Sequence, residues 1–301
     1  MSIIVALSLV SVCYIYYWVE SLRRERKARS VDGEVQAPIP SLLQLATGFV
    51  TNFFDTLGIG SFATTTTIFK LGRVVPDELI PGTMNVGHTL PTIAQALIYI
   101  TLVQVDFTTL VLLIASSVLG AWWGAGLVSR LPRRAVQLGV GGALTVAVLF
   151  MAIRELHLFP AGGTGLPLHG VGLVTGMAGT CLFGALSTLG IGFYAPCMIL
   201  VSLLGMAPLL AFPIMMGSSA FLMPVGSLRF VNSRSYEARA AAGLALGGLP
   251  AVLIAAFIVK SLPLDTLRRL VMAIALWAAF LLFRAAYHER AQSGSIHGKR
   301  T

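Results

Sequence analysis

Charge is what this 301-residue chain lacks. Asp, Glu, Lys and Arg make up 11% of it, against 56% apolar residues and a mean hydropathy of +0.85. A soluble domain of this size carries about a quarter charged residues. The shortage excludes an ordinary water-soluble globule. The charges that exist gather in short clusters between apolar runs, the pattern of a polytopic membrane protein in contact with lipid. Cysteine is scarce as well. Cys13, Cys181 and Cys197 lie in apolar segments with no CxxC or Cys/His spacing, so neither a disulfide framework nor a metal site is expected, and packing is their expected role. HExxH, GxSxG and a catalytic pair of carboxylates are all missing, so an enzyme is not expected, nor is a cofactor. The net charge of +9 is spread over several loops instead of one face, which excludes nucleic acid as a partner.

The amino terminus has no basic n-region and no A-x-A-like cleavage site, so it is expected to stay as a spanning helix. Ile3 to Val19 are apolar and end in Tyr14, Tyr16, Tyr17 and Trp18, an expected aromatic belt. The basic run Arg23 to Arg29 follows and reads as a cytoplasmic anchor, with the amino terminus outside. Further apolar segments lie at about 41–69, 79–104, 107–129, 134–153, 170–204, 208–229, 240–260 and 264–286.

These segments form two matching sets. Asp55-Thr56-Leu57-Gly58-Ile59-Gly60 returns 132 positions later as Ser187-Thr188-Leu189-Gly190-Ile191-Gly192. At the same offset Pro81 matches Pro213 and Met84 matches Met216, while Leu131-Pro132 matches Leu262-Pro263 at 131. The expected organisation is residues 1–40 as N-terminal helix and basic linker, 41–160 and 161–287 as two repeats, and 288–301 as a cytoplasmic tail.

Charge also bears on topology. If every segment crosses, the cluster Arg130, Arg133 and Arg134 falls outside. If 41–69 and 170–204 are re-entrant hairpins, that cluster, Lys70, Arg73, Arg229, Arg234, Arg239 and the tail all fall inside, as the positive-inside rule favours. About 29 residues broken in the middle give two half-helices of ~20 Å, enough to reach the midplane. Each half then crosses an odd number of times, which makes the halves inverted repeats. The expected fold is an all-α polytopic membrane protein, an inverted-repeat helical bundle with two broken or re-entrant hairpin segments and one extra N-terminal transmembrane helix. Long tilted helices kinked at the glycines are the alternative.

Glycine pairs supply the irregular backbone of a broken helix, and such backbone survives at membrane depth only in protein or around a wet cavity. A duplicated break of this kind is how secondary transporters build a substrate site. The half-helix after each Gly-x-Gly begins with unpaired N–H groups, which suit an anion without any Lys or Arg. Expected substrate-binding residues are Asn52, Thr56, Gly58, Gly60, Ser61, Thr64 and Asn85 in the first half. In the second half they are Thr188, Gly190, Gly192, Tyr194, Ser218 and Ser219. The run Thr64 to Thr67 also suits helix packing and back-bonding to the preceding turn.

Asp55 and His88 are the sharper signals, because an ionisable group inside a membrane segment is costly. A carboxylate beside an anion site is repulsive unless protonated or paired. Asp55 is therefore expected to couple substrate movement to H⁺, with His88 as second member; capping of the half-helix and a bond to a backbone carbonyl are the structural alternatives. Asp106 reads as solvated or capping, and Asp77-Glu78 as a helix start.

The two-fold duplication, the Gly-x-Gly early in each half, the Pro196 that follows the second one, and the Pro81 and Pro213 segments resemble the TauE/SafE family of sulfite exporter-like permeases, also called the 4-toluene sulfonate uptake permease family. The resemblance covers about 41–286 and leaves out the N-terminal helix. It implies transport of small sulfur-containing or organic anions (sulfite, sulfonates, sulfoacetate) across the bacterial inner membrane, coupled to an ion gradient. Ser61 stands where family members often carry a third glycine, and Thr64 where the second half has Pro196. The expected function is secondary transport of a small anion of the sulfite, sulfonate or small carboxylate class. An anion channel and a non-transporting membrane subunit are the alternatives. Glycine-rich pieces such as Gly139 to Gly142 and Gly120 to Gly126 suit packing within a protomer or in a homo-oligomer.

Overall fold

The structure, a computed structural model, describes residues 2–31, 39–128, 167–187 and 193–263 continuously, and interrupted stretches of 137–152 and 265–287. Its described elements are helices: α1 (Ser2–Val31), α2 (Leu42–Thr56), α3 (Phe62–Gly72), α4 (Ile80–Leu102), α5 (Phe107–Val128), α6 (Gly170–Ser187), α7 (Tyr194–Leu203), α8 (Ala211–Asn232) and α9 (Ala238–Ser261). Short 3₁₀ turns at Asp77–Leu79 and Pro208–Leu210 precede α4 and α8. The element order repeats: α2, α3, turn, α4, α5, then α6, α7, turn, α8, α9. α3 starts at 62 and α7 at 194, the 132 offset of the sequence repeat.

Local chemistry fixes the breaks. Ser41 and Gln44 form a reciprocal capping box that starts α2, with Ser41 N–H donating to Gln44 Oε1 at 2.9 Å and Gln44 N–H to Ser41 Oγ at 3.3 Å. The end of α2 is a Schellman motif. Gly58 takes φ +95°, its N–H donates to Asp55 O at 2.8 Å, and Ile59 N–H donates to Phe54 O at 3.1 Å. Gly60, at φ +90°, turns the chain again before α3. α3 and α7 end alike, in left-handed caps at Arg73 (φ 48°) and Gly205 (φ 85°), the same offset apart. Thus segment 41–69 is two helices, and 170–204 is likewise helix on both sides of Thr188 to Gly192, residues that lie outside the described set.

Four helical stretches among the described residues are long and apolar enough to cross a membrane: Ile3–Arg24, Gly170–Ser187, Pro208–Asn232 and Ala238–Ser261. α4, expected to cross, has 23 residues and so the length, but not the apolarity, because one face carries His88, Thr89, Thr92 and Gln95 and the opposite side carries Thr83, all buried. α2 is turned the same way. Gln44, Thr47, Thr51, Asn52, Asp55 and Thr56 are inside, while Phe49, Val50 and Phe54 are exposed, Phe54 by 41%. A helix with its polar stripe buried and its apolar stripe exposed is built for an apolar solvent.

The chain folds into two compact units that cut across the two sequence halves: Met1–Val103 with Met216–Ser261, and Gln104–Met215 with Leu262–Thr301. In the first, α9 lies along α2. Gly243 faces Gln44, Gly247 faces Leu45, and Gly248 faces Asn52, so the two helices run parallel; a Cβ on Gly247 would stand 2.0 Å from the Leu45 carbonyl oxygen. In the second, α5 lies along α6, where a Cβ on Gly184 would stand 2.0 Å from the Ser117 carbonyl oxygen and one on Gly120 1.9 Å from that of Cys181. Close backbone approach through small residues holds helices together where lipid removes the hydrophobic drive. The Asn52–Gly248 contact of one unit and the Gly184–Ser117 contact of the other match at the 132 and 131 offsets.

α1 corrects one expectation. Tyr14 and Trp18 are not belt residues: they are 2% and 5% exposed, packed with Val86, Val231, Tyr236 and Ala241, and Tyr14 Oη donates to Val86 O at 3.1 Å. Tyr16 and Tyr17 do face outward. The basic cluster Arg130, Arg133 and Arg134, Arg154, the repeat boundary at 160 and the tail 288–301 lie outside the described residues.

Candidate functional site

The buried polar stripes of α2 and α4 meet in the first compact unit and enclose both ionisable groups. Asp55 sits in the last turn of α2, 3% exposed. Its Oδ1 accepts the Ser61 backbone N–H at 2.7 Å, and its Oδ2 accepts Gln95 Nε2 at 3.0 Å. Among the described residues the ion pairs are Arg24–Glu20 and Lys70–Asp77, so no cation balances this carboxylate there. Gln95 Nε2 also donates to Thr56 Oγ1 at 2.9 Å, and Tyr99 Oη donates to Thr56 O at 3.0 Å. The Schellman turn and Gly60 are what bring the Ser61 N–H back under the Asp55 side chain. Asp55 thus ties the start of α3 to the end of α2.

His88 forms a second group one layer away on α4. Its Nδ1 lies 3.0 Å from Asn52 Oδ1 and its Nε2 3.0 Å from Thr65 Oγ1. Asn52 Nδ2 donates to Gly48 O at 2.7 Å and to Leu244 O at 3.4 Å, which orients the amide. With Asn52 Oδ1 facing the ring, Nδ1 carries the hydrogen, and Nε2 is the acceptor of the Thr65 hydroxyl. The structural alternative for His88, a bond to a backbone carbonyl, gives way to two side-chain bonds. Phe62 covers the ring at a centroid distance of 5.9 Å.

Of the residues expected at the site, the structure brings Asn52, Asp55, Thr56, Ser61 and His88 together around the start of α3. Gly58 and Gly60 shape the turn between them. Thr64 bonds its own helix, Oγ1 to Ser61 O at 2.8 Å, and Asn85 likewise donates to Pro81 O at 3.1 Å. Ser218 and Ser219 lie in α8, Ser218 buried. Tyr194 opens α7 in the other compact unit. Thr188, Gly190 and Gly192 lie outside the described residues. Three members escaped the sequence reading: Thr65, Gln95 and Tyr99. The signal was there for two of them. His88, Thr92, Gln95 and Tyr99 recur at helical spacing and mark one buried face of α4.

Asp106 stands outside the helices, before α5, and accepts the Thr109 N–H at 2.8 Å and the Thr109 hydroxyl at 2.9 Å. These bonds hold its carboxyl below the usual carboxylate range. Asp77 is exposed beside Lys70, 3.8 Å away. Among the described residues no group of His, Cys, Asp and Glu could hold a metal ion.

Comparison with known proteins adds one result. No curated protein and no solved structure matches the chain. The family model described as sulfite exporter TauE/SafE matches residues 1–151. The match starts at the first residue, so it takes in α1, which the resemblance had left outside, and it covers α2 to α5 with both polar groups. An apolar helical chain matched over half its length by a family of membrane transporters has its place: it belongs to the sulfite exporter TauE/SafE family.

Proposed function

We propose that the protein is a secondary transporter that moves a small anion across a membrane and couples that movement to protons through Asp55. The observation that carries this reading is the buried Asp55 carboxylate, placed at a helix break in an inside-out polar stripe, with hydrogen-bond donors but no described cation around it. The first intrahelical bond of α3 is Thr65 N–H to Ser61 O, so the N–H groups of Phe62, Ala63 and Thr64 precede it, and no side chain caps that end from the Ncap position. Such groups suit an oxyanion. Asp55, beside them, repels an anion while charged and accepts one once neutral. A proton and an anion then bind together.

The family supports sulfite, sulfonates and related small oxyanions as the substrate class. Asn52, Thr56, Ser61 and His88 supply the nearby polar groups, and Ser218 and Ser219 on α8 are proposed to add to them. Charge distribution supports an outside amino terminus and a cytoplasmic tail in a bacterial inner membrane. The test is uptake of radiolabelled sulfite, sulfoacetate and short carboxylates into proteoliposomes with and without a pH gradient. Gradient-dependent uptake is expected, and no uptake of any anion overturns the proposal.

A further inference from the structure

Gln95 is wholly buried, and its amide is used on one side only. Nε2 donates to Asp55 Oδ2 at 3.0 Å and to Thr56 Oγ1 at 2.9 Å, while Oε1 has no hydrogen-bond partner among the described residues. The orientation is set by Thr56. That hydroxyl donates to Asn52 O at 2.7 Å, so its oxygen must accept from the amide nitrogen. A bare buried acceptor is costly and asks for an explanation.

Both oxygens of Asp55 already face an N–H. Oδ1 faces the Ser61 N–H, a backbone donor that cannot become an acceptor for an acid O–H. Oδ2 faces the Gln95 amide, which can offer an acceptor to an acid O–H by turning over about its last bond. That rotation exchanges nitrogen for oxygen, and Oε1 then accepts the new O–H. The bond formed is the carboxyl O–H, the bond broken is an O–H of hydronium in the solvent, which leaves as water, and no covalent bond breaks in the protein. The turned amide loses its Asp55 and Thr56 acceptors, so the acid form is held less firmly than the carboxylate.

Resting on the coupling role of Asp55 above, we infer that Gln95 is the positioning residue that reads the charge of Asp55, holding the carboxylate through Nε2 and the acid through Oε1. The titratable groups on the elements packed against α2 are few. His88 and Tyr99 on α4 bond to Asn52 and Thr56 respectively, Lys70 on α3 is exposed beside Asp77, and Arg239 and Lys260 sit at the ends of α9. None of them bonds the Asp55 carboxylate, whose partners among the described residues are Ser61, through its backbone N–H and its side chain, and Gln95, the one that reaches it from α4.

The test is pH-titrated infrared difference spectroscopy on the full chain in lipid vesicles, with the Asp55 acid band assigned by its loss in Asp55→Asn. In the unaltered protein a glutamine amide band, identified by carbon-13 glutamine, should change in step with that acid band. Gln95→Leu should remove the amide change and move the acid midpoint to higher pH by about one to two units, the value of a lost hydrogen bond to a charged group. Gln95→Glu keeps the side-chain length and should also raise the midpoint, in two steps, as two acids share a proton. An amide band that stays still through the titration, or a midpoint unmoved in both variants, overturns the role of Gln95. Proton coupling by Asp55 fails separately, if Asp55→Asn transports with undiminished pH dependence.

Discussion

Gly248→Ala tests the packing that supports the polar groups. A Cβ at 248 would stand 2.4 Å from Asn52 Nδ2, 2.8 Å from Asn52 Cγ and 2.7 Å from Pro91 Cγ. Ordinary contact needs about 3.5 Å, so Asn52 must retreat by about 1 Å. It cannot do so freely. Its amide holds Gly48 O at 2.7 Å and His88 Nδ1 at 3.0 Å, and that retreat takes both beyond hydrogen-bond length. Two lost bonds at about 1 kcal/mol each, with about 1–3 kcal/mol of overpacking, give a destabilisation of about 3–5 kcal/mol. Two other glycines calibrate this. Gly60→Ala meets nothing within 4 Å but keeps φ +90°, so it should cost only the left-handed strain of about 1–2 kcal/mol. Gly139→Ala meets nothing within 4 Å at ordinary φ and should be neutral or stabilising by up to about 1 kcal/mol. The assay is equilibrium unfolding in mixed micelles. If Gly248→Ala costs no more than Gly60→Ala, the Asn52 amide is not held as described.

Other outcomes follow from single contacts. Arg73→Gly relieves a left-handed non-glycine cap at φ 48° and should stabilise the chain by about 1 kcal/mol in the same unfolding assay. Ser41→Ala breaks the capping box of α2 and should cost about 1 kcal/mol, with Ser41→Asp recovering most of it. The Asp106 carboxyl is held below its unfolded value by Thr109, so its contribution is present above the unfolded carboxylate range and is lost as pH falls through the folded one. Asp106→Asn should therefore flatten the acid limb of a stability-versus-pH curve and leave the neutral region shape unchanged.

Much of this was written in the pattern of residues. The break at Gly58-Ile59-Gly60 followed from a glycine pair inside an apolar run, and its geometry is a Schellman stop plus a second left-handed turn. Asp55 and His88 stood out because charge inside such a run is rare. What the pattern hid is long-range. The partner that makes α2 close-packed is α9, almost 200 residues away, and nothing local to Gly48 or Gly248 names it. Thr65 was one of four consecutive threonines, and only the tilt of α3 against α4 decides which one reaches His88. Gln95 is ordinary by composition and becomes informative only once the face of α4 is known. Tyr14 and Trp18 misled for the opposite reason: a belt position and a buried anchor have the same sequence, and the neighbours Val86 and Tyr236 decide between them.

The central claim is that the Asp55 carboxylate links proton and anion. The most direct measurement is anion uptake into proteoliposomes across a range of external pH, for the native chain and for Asp55→Asn, with each variant's fold checked by its unfolding curve. Uptake by the native chain should rise as external pH falls, and uptake by Asp55→Asn should be independent of pH. Equal pH dependence in the two proteins would contradict the account.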